Sequence, residues 1–133
     1  MIVADTNLIA YFLVKGPHTR EAEAVYEKDP EWAAPLLWRS EFRNVLILSL
    51  RHALLTLEDV LSLMDRAERL MKGQGYQMDS SRILRLAADS GCSAYDCEFV
   101  ALAQELGVPL VTSDRALITK FTPTAVSMRA FCS

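Results

Sequence analysis

The chain has 133 residues, 51% apolar and 23% charged, a composition that suits one globular domain with a substantial hydrophobic core. A net charge of −3 excludes a protein that grips nucleic acid through a broad basic surface. Such a substrate would need bound metal, a local arginine cluster or a partner chain. No apolar run reaches the length of a membrane span, and the MIVADTN start lacks the basic and apolar segments of an export signal, so a cytoplasmic location is expected. Cys92, Cys97 and Cys132 cannot all pair with one another and read as reduced thiols, and neither they nor the isolated His18 and His52 make a zinc pattern.

Met1 to Ala4 is an apolar run that predicts a buried strand, ended by Asp5. Thr6 and Asn7 suit a helix start, and Leu8 to Val14 supply its apolar face before Gly16-Pro17 breaks it. Thr19 to Lys28 is a polar helix with Ala22, Val25 and Tyr26 inward, followed by a short strand over Ala33 to Leu36. Leu37 to Leu54 reads as a long helix with two apolar rows. One holds Leu37, Trp38, Glu41, Val45 and Leu48, and the other holds Phe42, Leu46 and Leu50. A helix apolar on two sides in so small a domain points to packing against another chain.

Thr56 to Met71 is the next helix, opened by the capping-box pattern Thr56-x-x-Asp59 and striped by Leu57, Val60, Leu61, Met64, Ala67 and Leu70. A strand is expected at Tyr76 to Met78, then a helix over Ser80 to Ser90, stopped by Gly91. Helix Ala94 to Leu106 ends at Gly107. Val108 to Thr112 is an apolar strand, Asp114 to Lys120 a short helical turn and Thr124 to Met128 a last strand. Strands separated by helices predict an α/β domain with a mostly parallel sheet, in which ligands bind outside the carboxyl ends of the strands. Asp5 and Asp114 both follow strand ends.

Four acids stand out, and each has a plain structural explanation. Asp96 completes a second capping pattern, Ser93-x-x-Asp96, and Thr56-x-x-Asp59 shows that such a pattern needs no chemistry. Asp5 and Asp114 can each begin a helix. Glu41 can sit at the end of its apolar stripe and reach water. Together they are harder to explain this way, because Asp96 and Glu41 lie on inward helix faces while Asp5 and Asp114 sit at strand ends. Converging carboxylates repel one another and raise one another's pKa unless a cation joins them. Hard oxygen ligands suit Mg²⁺ or Mn²⁺, and such a site can activate water and stabilise the attacking and leaving oxygens of a phosphodiester.

IVADTNLI at the start, SEFRNVL around Glu41 and SAYDCEFVALAQELGVPLVTSD near the end carry a resemblance over nearly the whole chain. In their order and spacing they resemble a PIN-domain ribonuclease of the VapC toxin type. The resemblance implies an α/β PIN-like three-layer sandwich with a sheet of about five parallel strands flanked by helices. It implies a metal-dependent endoribonuclease in which Asp5, Glu41, Asp96 and Asp114 form the catalytic metal site. Asp5 and Asp96 would be the main ligands. Thr6, Asn7, Asn44 and Ser113 would support the site by hydrogen bonds; among the arginines Arg39, Arg43, Arg82, Arg85 and Arg115, the last, beside Asp114, is the best placed for phosphate contact. The same resemblance implies an RNA substrate, a homodimer and a cognate antitoxin.

Two phosphoryl-transfer alternatives fit the residues poorly. A phosphatase of the haloacid dehalogenase type needs a second Asp two residues after the first, and position 7 is Asn. A phospho-accepting receiver domain needs its acid at the end of a mid-chain strand, where the mid-chain acid here, Glu41, falls on a helix. A non-catalytic binding or scaffold domain of the same fold is the remaining rival, and the intact acid set argues against it.

Overall fold

The computed structural model describes all residues from Met1 to Ser133. Its centre is a sheet of five parallel strands: β1 (Ile2–Ala4), β2 (Trp32–Pro35), β3 (Gly75–Tyr76), β4 (Leu110–Val111) and β5 (Ala125–Val126), in the spatial order β3-β2-β1-β4-β5. Parallel neighbours cannot be joined by a tight turn, so helices make the crossovers. They are α1 (Thr6–Leu13), α2 (Thr19–Lys28), α3 (Leu37–Arg51), α4 (Leu57–Leu70), α5 (Ser80–Ser90), α6 (Ala94–Leu106), α7 (Arg115–Lys120) and α8 (Met128–Cys132). Helices α1 to α4 pack among themselves, while α6 lies on β1, β2 and β4 with α5 against it. The result is the expected three-layer α/β sandwich.

β1 is the middle strand, with Ile2 opposite Trp32 on one side and Val3 opposite Leu110 on the other. Every residue of β1, β2 and β4 is buried, as expected of parallel strands covered on both faces. From β1 the chain moves outward to β2 and β3, and then returns to the other side for β4 and β5. The strand order therefore reverses between β1 and β4. In open α/β sheets a crevice forms at such a reversal, outside the carboxyl ends of the strands.

The core sharpens the expected helix faces. In α3 the buried row is Trp38, Phe42 and Leu46, so Trp38 belongs with Phe42 and not, as expected, with Glu41; Glu41 and Val45 are only partly buried, and their row ends at Leu48, which is 44% exposed. In α4 only Val60 and Ala67 are buried, and Leu57 and Leu61, expected to face inward, are 58% and 62% exposed.

Several boundaries also differ from expectation. α3 ends at Arg51 rather than Leu54, because Ala53 takes a left-handed backbone (φ 58°) that turns the chain. β3 spans Gly75 and Tyr76 instead of Tyr76 to Met78, and β4 is only Leu110 and Val111. The expected last strand ends at Val126, because Ser127 caps a new helix, accepting a hydrogen bond from the Ala130 amide at 3.0 Å. That helix, α8, went unpredicted, since its five residues are too few to show a period. No helix is long and apolar enough to cross a membrane.

Candidate active site

The crevice at the strand reversal is lined by Asp5, Thr6, Asn7, Glu41, Asn44, Val45, Asp96 and Asp114, around a volume of about 250 Å³. All four acids singled out in the sequence therefore meet on one cleft, although they come from four separate parts of the chain.

Each acid is placed by a local rule. Asp5 is the residue between β1 and α1, and its backbone is extended as a helix cap requires. One of its carboxylate oxygens accepts from the Thr6 amide at 2.7 Å and the other from the Thr112 hydroxyl at 2.5 Å. Glu41, on the margin of α3, accepts from the Thr6 hydroxyl at 2.6 Å. Asp114 caps α7, taking the Ala116 and Leu117 amides at 2.9 and 3.1 Å. Asp96 stands in the first turn of α6, where its amide donates to the Ser93 hydroxyl at 3.0 Å. Its carboxylate accepts no backbone hydrogen bond; the Ser93 hydroxyl is its one partner, and it lines the cleft.

Thr112 is the residue that sequence reasoning missed. It is fully buried, donates to Asp5 and accepts from the Asp114 amide at 3.1 Å, so one hydroxyl ties the ends of β1 and β4 together. The signal was a hydroxyl residue two places before an acid at a strand end, which strand alternation puts on the same side. Ser113, chosen in its place, is exposed, does not line the cleft, and lies with its hydroxyl 3.5 Å from the Tyr11 hydroxyl. Arg115 is exposed just beyond Asp114 and also stands outside the cleft wall. Thr6, Asn7 and Asn44 are in the wall.

The electrostatics follow from the crowding. Burial, with Glu41 and Asp96 adding to it, pushes the Asp5 carboxyl up to about 6 despite its two hydrogen bonds. Burial also raises Glu41, helped by the charges of Asp96 and Glu98. Asp96 is raised by burial and by Asp114. None of the ion pairs of the molecule includes a cleft acid. No three acid, histidine or cysteine side chains are gathered into a ready cage for an ion. The cleft is an open, uncompensated acidic surface made of hard oxygen donors, and its donor set fits a small divalent cation.

The PIN domain family model matches residues 2–120. The chain belongs to the PIN domain family. It is 28% identical over 123 residues to Ribonuclease VapC3 of Pyrobaculum aerophilum, an alignment covering 90% of this chain and 94% of that one. In fold it is similar to PAE2754 of the same organism, known from a crystal structure, with a TM-score of 0.78 over 98% of this chain and 92% of the other at 19% identity. The resemblance read from the three sequence blocks is borne out, and so is the parallel PIN sheet it implied.

Proposed function

We propose that this PIN domain is an endoribonuclease that depends on Mg²⁺ or Mn²⁺, hydrolyses RNA phosphodiester bonds, and acts in the cytoplasm as the toxin of a toxin–antitoxin pair, inhibiting translation or growth. The observation that carries the proposal is the meeting of Asp5, Glu41, Asp96 and Asp114 on one cleft at the strand reversal, with no cation paired to them. The relative's name, Ribonuclease VapC3, supports the same reaction.

Asp5 and Asp96 would hold the cation from the β1 and α6 sides, with Glu41 and Asp114 completing the oxygen donors. Bound there, the cation supplies Lewis acidity that activates water and offsets charge on the attacking and leaving oxygens. The protein's own residues set the geometry. Thr112 fixes the Asp5 carboxylate, and Thr6 fixes Glu41. Glu41 then presents a second oxygen that can orient a water molecule. The Asn7 and Asn44 amides, in the wall, can donate to phosphate oxygens. Arg115, exposed directly after Asp114 and outside the cleft wall, would meet a phosphate at the cleft mouth.

An anionic substrate cannot approach four carboxylates unaided, so the cation is a condition of binding as well as of chemistry. The exposed leucines of α3 and α4 support a homodimer or an antitoxin contact, because a monomer gains nothing by leaving them in water. The test is an RNA digest with Mg²⁺ or Mn²⁺ and with a chelator. Cleavage that vanishes with the chelator is expected. Equal cleavage in both, or none in either with folded protein, would contradict the proposal.

A further inference from the structure

On the Asp114 side of the cleft two aromatic rings stand just beyond its wall. Tyr11 lies one turn after Asn7 on α1, so it continues the helix face that lines the cleft. Its hydroxyl stands 3.5 Å from that of Ser113, the residue before Asp114. The ring is therefore set at the cleft margin both from α1 and from the end of β4.

The second ring is His18, whose centroid lies 4.6 Å from that of Tyr11 at an interplanar angle of 41°. His18 stands at the N-cap position of α2 but makes no capping bond, so the helix start does not explain its side chain. The turn that carries it is held from within. The Thr19 hydroxyl accepts from the Gly16 amide at 2.9 Å and donates to the Val14 carbonyl at 3.4 Å. Glu21, 3.4 Å from the imidazole Nδ1, steadies the ring. Tyr11 packs partly on the core, while the His18 side chain is 47% exposed. Exposed Lys15 and Arg20 flank His18 in the chain, and exposed Arg115 follows Asp114. Fixed aromatic rings accompanied by cations are the makeup of a surface that holds single-stranded nucleic acid.

We infer that Tyr11 and His18 form a stacking platform for one unpaired base flanking the scissile phosphate, so that the substrate is single-stranded RNA. Every base has a π-face, and a base splayed from a single strand can lay that face on an aromatic side chain. In a duplex the bases are already stacked on one another, and none is free to reach the rings. The platform holds the strand without choosing its sequence, because stacking needs no particular base edge. The Tyr11 hydroxyl plays no part in the stack, and its contact with Ser113 only sets the ring. The inference rests on the ribonuclease reading, because it is the adjoining cleft that receives the phosphate.

The test uses the full chain with Mg²⁺ or Mn²⁺ and a single-stranded oligoribonucleotide that the unmodified protein cuts. The same strand is also made with one base at a time removed near the cut, and annealed to its complement. Removing one flanking base is expected to raise KM about tenfold, the scale of one lost stacking contact, with kcat little changed. The duplex is expected to be cut poorly. Tyr11→Ala should raise KM by the same factor on intact RNA and add nothing on RNA lacking that base, because both changes delete one contact. Tyr11→Phe, which keeps the ring, should behave like the unmodified protein. His18→Ala, at an exposed position, should raise KM by a smaller factor, again only on intact RNA. The platform is overturned, and the ribonuclease reading left standing, by any of four results: Tyr11→Phe as impaired as Tyr11→Ala, losses that add, an unchanged KM in His18→Ala or folded Tyr11→Ala, or a duplex cut as well as the single strand. RNA that the unmodified protein does not cut with either metal overturns both.

Discussion

Two helices of this protein open on the same pattern and use it differently. At the start of α4, Thr56 accepts from the Asp59 amide at 3.2 Å while Asp59 accepts from the Thr56 amide at 2.9 Å, and the box closes. At the start of α6, Ser93 accepts from the Asp96 amide, but the return bond from the Asp96 carboxylate is not made. Asp59 is exposed, and its two bonds to Thr56 hold its carboxyl below the ordinary range. Asp96 is partly buried, and burial together with Asp114 pushes its carboxyl above that range. One motif has given a capping acid and a cleft acid. The difference lies in what the rest of the chain brings alongside: water at α4, and at α6 the ends of β1 and β4. An acid without that backbone bond, and crowded by other acids, is not accounted for by the helix start alone.

The largest expected effect is on the chemistry. Asp5→Asn in the cleft is expected to lower RNA cleavage at least about a hundredfold, the scale of removing one group that stabilises developing charge. Circular dichroism would show the fold retained, since an amide can still accept from the Thr6 amide. Cleavage within a few-fold of the unmodified protein would detach the cleft from the reaction.

The pH dependence of stability should carry opposite signs at the two kinds of acid. Asp5 titrates near 6 when folded, against 3.8 ordinarily, so between those values the folded chain keeps a proton that the unfolded chain has released. Stability of the metal-free protein should therefore fall as pH rises through that window, by at most about 3 kcal/mol. Glu41 and Asp96 add in the same direction. Asp59, with its pKa lowered, contributes stability that is present above 3.8 and lost below it. Urea titrations across the range would show the fall, and Asp5→Asn should flatten it. A stability that climbs from pH 4 to 6 without metal would contradict the crowding.

Divalent metal should sharpen the same contrast. A cation that binds only the folded chain adds about 2.7 kcal/mol at a hundred times its dissociation constant. Thermal melts with Mg²⁺ or Mn²⁺ are expected to show that gain in the unmodified protein and in Asp59→Asn. Asp96→Asn should lose most of it. Equal metal shifts in Asp59→Asn and Asp96→Asn would place the cation elsewhere.

The smallest effect concerns the caps themselves. Thr56→Ala and Ser93→Ala should each cost about 1 kcal/mol in denaturant melts, as lost helix caps do. Only Ser93→Ala should also slow cleavage, because it frees the turn that carries Asp96. A loss of cleavage in Thr56→Ala would mean that the two sites are coupled through the fold.

Much of the fold was legible because its elements are short and sharply punctuated. Gly91 and Gly107 end α5 and α6 in left-handed backbone, and Gly16-Pro17 separates α1 from α2. Buried parallel strands read as plain apolar runs, so β1 was found easily. The inward face of α4 was misjudged because apolar spacing marks a stripe without saying which edge meets the core. Leu57 and Leu61 belong to the stripe and remain in water. At the site, four acids in three blocks could be named from the sequence because carboxylates are conspicuous among apolar neighbours. The hydroxyl that joins two of them was not found. Thr112 bonds to Asp5, 107 residues away in sequence, and only the pairing of β1 with β4 brings them together.

The most direct test sets Asp96→Asn beside Asp59→Asn in one RNA cleavage assay with Mg²⁺ or Mn²⁺, both proteins being checked for folding. Asp59→Asn is expected to cleave like the unmodified protein and Asp96→Asn not to cleave. Undiminished cleavage by folded Asp96→Asn would contradict it.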